Sequence, residues 1–440
     1  MNYLPHTKED EAAMLEAIGV KNIDALFEHI PESLRIKGLN LDEGQNELEI
    51  LRLFNTLACR NKTDLNSFLG GGFYDHHIPS AIDAIANRSE FYTAYTPYQP
   101  EASQGTLQAL FEYQTAICRL TDLEVTNASL YDGGTALAEA VLMALRITKK
   151  SKIIIDDSVN PIYRNIVKTY LKNLDVQIVE IANLDFALDR AALKKQLDQE
   201  TAAVVLQNPN FFGTIDDFSD MVELIHSHKA LAILNFYPVS LGLIKTPGEM
   251  GFDIATAEGQ SLGLPLSFGG PFLGILAAKK EFIRQVPGRI VGQTVDKNNT
   301  RGFVLTLQSR EQHIRREKAT SNICSNQGLC ALRALIYLSL VGPQGLKELA
   351  KTNFAKAEIA KQEFGKIGII KTQNTFNEFV VDLKKPAKPL WQKLLQQNII
   401  LGIPLEIFYP YLKNELLITI TEKKTEHEIT TTKNQCLEIE

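Results

Sequence analysis

Ala202-Ala203-Val204-Val205-Leu206 and Leu231-Ala232-Ile233-Leu234-Asn235-Phe236 are the two runs that decide the fold. Each is short, nearly continuous in apolar residues and rich in β-branched or aromatic side chains, the pattern of a strand buried on both faces. Four similar runs flank them, at 153–155, 176–181, 254–256 and 273–276. Stretches with helical spacing, such as 135–145 and 217–227, lie between several of these. Strands that alternate with helices predict a mostly parallel sheet covered on both sides, hence an α/β domain, which we place at 66–310.

Outward from this domain the rhythm changes. Before it, Thr7 and Asp10 form a capping pair ahead of Met14, Leu15 and Ile18, and Leu51, Phe54, Leu57 and Ala58 make an apolar stripe at helical spacing. Residues 1–65 therefore read as a helical N-terminal arm. After it, helices are expected at 329–340, 346–364 and 390–395, with strands at 379–383 and 416–421, which suggests a small α+β domain over 311–440.

Composition narrows the function. Against 46 Lys and Arg stand 52 Asp and Glu, a net charge of −6 over 440 residues. A mildly acidic chain has no general attraction for nucleic acid or anionic membrane, so neither is expected as a partner. The apolar runs are too short to span a bilayer. Met1-Asn2-Tyr3-Leu4-Pro5 lacks the basic-then-apolar pattern of a secretory signal. Cys59, Cys118, Cys324, Cys330 and Cys436 are scattered without CxxC spacing, against both a disulfide framework and a zinc site. A cytoplasmic protein without a metal is the expectation.

Three motifs read as decoys. Gly259-Gln260-Ser261-Leu262-Gly263 matches a nucleophile elbow, but Leu264-Pro265 follows where a helix should start. Gly70-Gly71-Gly72 lacks the Lys-Ser/Thr of a P-loop and reads as a tight turn or a close approach of backbones. His76 and His77 are adjacent, so they share no face of a helix or strand, and they read as hydrogen-bonded structural histidines.

The unusual segment is 91–105, FYTAYTPYQPEASQG. Thr96 and Gln99 each precede proline and are pushed to extended conformations. At three residues per turn, Tyr92, Tyr95, Tyr98 and Glu101 would line one face. Ser103 then caps a helix that carries Leu107, Leu110, Phe111 and Ile117. The segment is either a rigid loop with tyrosines filling gaps, or a stiff arm that presents polar groups at a pocket or interface.

Tyr95-Thr96-Pro97-Tyr98-Gln99-Pro100-Glu101, followed by Ser103-Gln104-Gly105, resembles the P-protein (glycine decarboxylase) family of the glycine cleavage system. Phe68-Leu69-Gly70 with Gly72 and Tyr74, residues 127–133, Gly248-Glu249-Met250-Gly251-Phe252-Asp253 and residues 421–425 agree with it. The likeness runs in order along the whole chain, and the length fits subunit 1 of the split, two-gene form. It implies the type I fold of pyridoxal-phosphate enzymes, with an N-terminal arm, a seven-stranded large domain and a small C-terminal domain. It also implies decarboxylation of glycine with transfer of the aminomethyl group to the lipoyl arm of H-protein.

Pyridoxal-phosphate chemistry requires a lysine for the resting Schiff base and an acid at the pyridine nitrogen. Aligned to the catalytic half of the family, the lysine position falls on Gln260 and the aspartate position on Asn235. Lys245 and Lys279 are poorly placed to substitute. The resemblance thus implies a chain with no cofactor of its own, paired with a subunit 2 that carries pyridoxal phosphate, two copies of each. Its contribution to the partner's site is expected from Tyr95, Tyr98, Glu101, Ser103 and Gln104. Gly133-Gly134 stands where the family's cofactor phosphate sits, but Asp132 beside it disfavours an anion, and a simply capped helix is expected. Two other readings remain: a structural or docking subunit that touches no substrate, and a self-sufficient enzyme with an unconventional lysine.

Overall fold

The computed structural model describes residues 5–36 and 38–439; the stretch 1–4 read above for a targeting signal lies outside the described residues. The chain divides into two compact units, Met1–Thr63 and Asp64–Glu440.

The first unit holds helices Lys8–Ile18 and Glu47–Ala58 and two short 3-10 turns. The expected capping pair is present: Asp10 N–H donates to Thr7 Oγ1 at 3.2 Å, and Thr7 N–H donates to Asp10 Oδ2 at 2.8 Å. Asn46 and Glu49 form the same box on the second helix. The stripe of Leu51, Phe54 and Leu57 is helical as expected, yet all three are exposed.

In the second unit a short strand outside the expected runs, β1 (Val125–Thr126), joins the six that the apolar runs form: β2 (Lys152–Asp156), β3 (Gln177–Ile181), β4 (Thr201–Asn208), β5 (Leu231–Phe236), β6 (Ile254–Glu258) and β7 (Gly274–Ala278). Their order is β1-β7-β6-β5-β4-β2-β3, parallel except for β7, which runs against β6 and β1. Because strand side chains alternate, the runs feed two cores at once. Ile154, Val204, Leu234 and Ala255 face helices Gln104–Thr121 and Ser219–Ser227; Ile153, Val205, Ile233 and Ile254 face helices Gly133–Thr148 and Pro161–Leu171. This double burial is why the sequence shows continuous rather than alternating apolar runs.

A four-stranded antiparallel sheet follows, in the order Ile369–Ile370, Glu378–Asp382, Glu415–Thr419, Ile403–Pro404. Helices Ala387–Gln396 and Glu426–Ile439 pack Leu390, Leu394 and Ile429 on it. The helices expected at 329–340 and 346–364 form one element, Gly328–Phe364, broken at Gly342 (φ 59°, ψ −179°) just before Pro343, which has no N–H to continue the ladder. Among the described residues this element is the one long and apolar enough to cross a membrane. Ala331, Ala334 and Tyr337 are nevertheless buried in the sheet's core, as in a core helix of a globular domain.

Among the elements that the sequence reading did not foresee is the antiparallel hairpin Ile290–Val295/Arg301–Thr306. Two glutamines of helix Gln104–Thr121 clip it. Gln104 accepts from Phe303 N–H (2.9 Å) and donates to Phe303 C=O (2.9 Å). Gln114 does the same to Val291, at 2.9 and 3.0 Å.

Candidate functional site

In an open parallel sheet, ligands bind beyond the carboxyl ends of the strands. At those ends β4 supplies Gln207, β5 Asn235 and Phe236, and β6 Glu258. With Tyr74, Tyr163 and Tyr237 they line a cavity of about 20 Å³. That is room for about one water molecule, far below the several hundred Å³ typical of a cofactor pocket.

Asn235 donates from Nδ2 to Gln207 Oε1 at 3.0 Å, and Gln207 Oε1 also takes the Asn160 N–H at 2.8 Å. Gln260 is 2% exposed, and its carboxamide is fully used. Oε1 accepts from Tyr74 N–H at 2.8 Å, while Nε2 donates to the carbonyls of Tyr74 (3.0 Å) and Leu264 (2.9 Å). At the first turn of helix Gly133–Thr148 the expected cap is present: Thr135 N–H donates to Asp132 Oδ1 at 2.8 Å. The N–H of Gly133 donates to Glu258 Oε2 at 2.9 Å. Burial pushes the Glu258 carboxyl up to about 8, against the pull of the N–H donors of Gly133, Leu273 and Gln260. These residues do not fit pyridoxal phosphate. The amides of Gln260 and Asn235 offer neither an amine nor an acid, a side chain of the chain itself fills the helix N-terminus, and the volume is too small.

Around the cavity the 70–77 loop is tied to the small sheet. Gly70 leaves no room for a side chain, since a Cβ there would lie 2.0 Å from Thr419 Oγ1; Gly71 and Gly72 have φ of +72° and +111°. The glycine run therefore bends the chain at Gly71-Gly72, and Gly70 lies against the side chains of Thr419 and Glu378 rather than against another backbone. Buried Glu378 accepts from Gly71 N–H (2.7 Å), Tyr74 O–H (2.7 Å) and Thr419 O–H (2.8 Å). Burial nonetheless raises its carboxyl above the ordinary range. His76 is buried between Glu422 (2.7 Å) and the Tyr237 hydroxyl, and so is a hydrogen-bonded structural histidine.

The tyrosine segment departs from a regular polyproline repeat. Ser89–Tyr92 is a helical turn, so Tyr92 belongs to a different element from Tyr95 and Tyr98. Tyr95 is 90% exposed and borders a small cavity with Phe91, Leu110 and Leu329. Tyr98 borders a different cavity, about 490 Å³, with Glu311, His313 and Cys324, and its hydroxyl accepts from Arg289 at 3.2 Å. One face does not carry both rings. Glu101 is exposed. Ser103 stands at the N-cap of helix Gln104–Thr121, but its side chain makes no capping bond. Gln104 is held by Phe303, as described above.

The remaining lysines are engaged elsewhere: Lys245 pairs with Asp217, and Lys279 with Asp253 at 2.6 Å. Ser261 of the elbow-like motif is buried, and no helix follows it. No disulfide and no metal-ligating cluster is found among the described residues. Sequence reasoning missed Glu258, Tyr163 and Glu378. A detectable signal existed for the first, a lone carboxylate ending the otherwise uncharged strand Ile254–Glu258. The other two are recognisable only once distant segments meet.

Residues 1–435 match the family model described as glycine cleavage system P-protein. The chain is 56% identical to the probable glycine dehydrogenase (decarboxylating) subunit 1 of Geotalea uraniireducens (strain Rf4), covering 98% of each. A crystal structure of glycine decarboxylase (P-protein) of the glycine cleavage system, in inhibitor-bound form, is similar over 100% of both chains, with a TM-score of 0.91 and 40% identity. Sphingosine-1-phosphate lyase of Burkholderia pseudomallei K96243, with a TM-score of 0.64 and 14% identity over 93% of this chain and 94% of that one, shares the fold.

Proposed function

Because the chain belongs to the glycine cleavage system P-protein family, we propose that it is the glycine decarboxylase subunit that holds no pyridoxal phosphate and completes the active site of a homologous partner. Its fold is the type I fold of pyridoxal-phosphate enzymes. The observation that carries the reading is Gln260. The residue at the lysine position has its donor and acceptor both bound to backbone, beside a cavity of about 20 Å³. The engaged Lys245 and Lys279 speak against a self-sufficient enzyme.

In this reading the partner, subunit 2, brings lysine and cofactor, and two copies of each subunit assemble. Glycine loses its carboxylate as CO2, and the aminomethyl group goes to the lipoyl arm of H-protein. This chain supplies polar groups to the opposite wall. Exposed Tyr95 and the Tyr98 phenol, oriented by Arg289, donate hydrogen bonds toward the substrate. Exposed Glu101 adds a carboxylate to the same segment, and Ser103 offers its hydroxyl at a helix start. Gln104 is a positioning residue that anchors the segment to the hairpin through Phe303. We place the protein in the cytoplasm; the absence of disulfides among the described residues is in keeping with a reducing compartment.

Two measurements test the proposal. The isolated chain mixed with pyridoxal phosphate should show no visible absorbance that borohydride can trap, and such absorbance would overturn it. Tyr95→Phe should lower glycine turnover of the assembled enzyme roughly 10- to 100-fold, the worth of one hydrogen bond to a charged group, with the partner's cofactor retained. Unchanged turnover would instead favour a purely structural or docking subunit.

A further inference from the structure

The sixteen-residue helix Gly133–Thr148 starts on two glycines, at the carboxyl ends of the strands. Free backbone N–H groups and the positive end of the helix dipole make such a start a seat for an oxyanion. In this chain the Glu258 side chain sits there. Oε2 accepts from Gly133 N–H at 2.9 Å, and Oε1 accepts from Gln260 (2.9 Å) and Leu273 (3.1 Å). A second group marks the same place. The Tyr163 hydroxyl is buried, lines the same cavity and has no hydrogen-bond partner among the described residues. A Cβ on Gly133 would lie 2.8 Å from that hydroxyl and 2.8 Å from Glu258 N, so this end of the helix is filled to contact.

We propose that Glu258 is a built-in occupant of a phosphate seat, and that it is the residue that closes this chain's own cavity to inorganic phosphate and phosphate monoesters. A phosphate can enter only by displacing the carboxyl group, which would leave a buried acid without its three donors. It would also approach Asp132, whose carboxylate caps this same first turn. Truncating Glu258 at Cβ removes the obstacle and frees three N–H donors that converge beside the Tyr163 hydroxyl. The missing lysine explains why no covalent bond to a cofactor forms; Glu258 explains why the phosphate end finds no seat either. The inference rests on the assignment of the cofactor to the partner subunit and deepens it.

The test uses the full-length chain alone and inorganic phosphate as the probe. Wild type and Glu258→Ala are titrated calorimetrically, and both are melted in phosphate and in chloride at equal ionic strength. Wild type should show no saturable binding. Glu258→Ala should bind phosphate at least about tenfold more tightly, with a Tm that climbs with phosphate concentration. Saturable binding by wild type, or a folded Glu258→Ala that ignores phosphate, overturns the inference. If Glu258→Ala does not fold in chloride, Glu258→Ser replaces it. If neither folds, refolding yield is the readout: recovery that depends on phosphate supports the inference, and its absence overturns it. Neither glycine nor the partner is involved, so failure here leaves the partner-site proposal standing. Trappable cofactor absorbance from the isolated wild-type chain would instead remove the premise.

Discussion

Gln260 and the Tyr74 backbone exchange one donor and one acceptor, in the manner of two paired strand residues. Lysine at this position supplies donors only, so Gln260→Lys leaves the Tyr74 N–H buried without an acceptor. We expect a loss of about 1–3 kcal/mol in urea unfolding, with no gain of cofactor binding. Glu258 gives the second prediction at this scale. Its carboxyl is raised to about 8 from an ordinary 4.5, so the folded state binds a proton that the unfolded state releases. The resulting stabilisation is full below about 4.5 and lost as pH rises through about 8. Glu258→Gln cannot titrate. Relative to it, wild type should lose stability between these limits, by an amount on the order of a few kcal/mol. Parallel pH profiles of urea unfolding for the two proteins would contradict this.

At the level of elements, the hairpin Ile290–Val295/Arg301–Thr306 is held by side chains that act as backbone. Gln114 is 7% exposed, and Gln114→Leu strands both the N–H and the C=O of Val291. Unfolding should cost about 1–3 kcal/mol less, and exchange of the Val291 amide should accelerate while amides of β4 and β5 keep their protection. Measured by hydrogen exchange, an unchanged Val291 rate would show that the clip is dispensable. The break at Gly342-Pro343 was legible beforehand because proline lacks a donor wherever it sits. The hairpin was not. Its stretch Arg301–Thr306 buries only Phe303 and Leu305, and it is a strand by pairing with Ile290–Val295, a partner that lies outside its own pattern.

Across the whole molecule, every buried apolar core lies after residue 63, beginning with Phe68. The four regular elements of Met1–Thr63 bury no residue of their own. A chain starting at Asp64 keeps every residue of the described cores and should unfold in one cooperative transition; a broad, multi-step melt would contradict this. The exposed Leu51, Phe54 and Leu57 stripe shows the limit of pattern reading: periodicity identifies a helix, whereas burial depends on what comes to cover it.

The parallel sheet is legible in the chain's local pattern, because a strand buried on two faces is apolar at nearly every position. The family is legible too, because the string Tyr95–Gly105 is specific, and Gln260 and Asn235 raise the expectation of a chain that relies on a partner's lysine and acid. Only the tertiary structure decided what became of the cavity. Tyr74, Tyr163, Glu258 and Glu378 come from segments up to 304 residues apart, and their meeting leaves no signature in local composition. The physical reason is that hydrophobic pattern is a property of one element. A filled helix N-terminus is a property of two elements in contact, here β6 and the helix Gly133–Thr148.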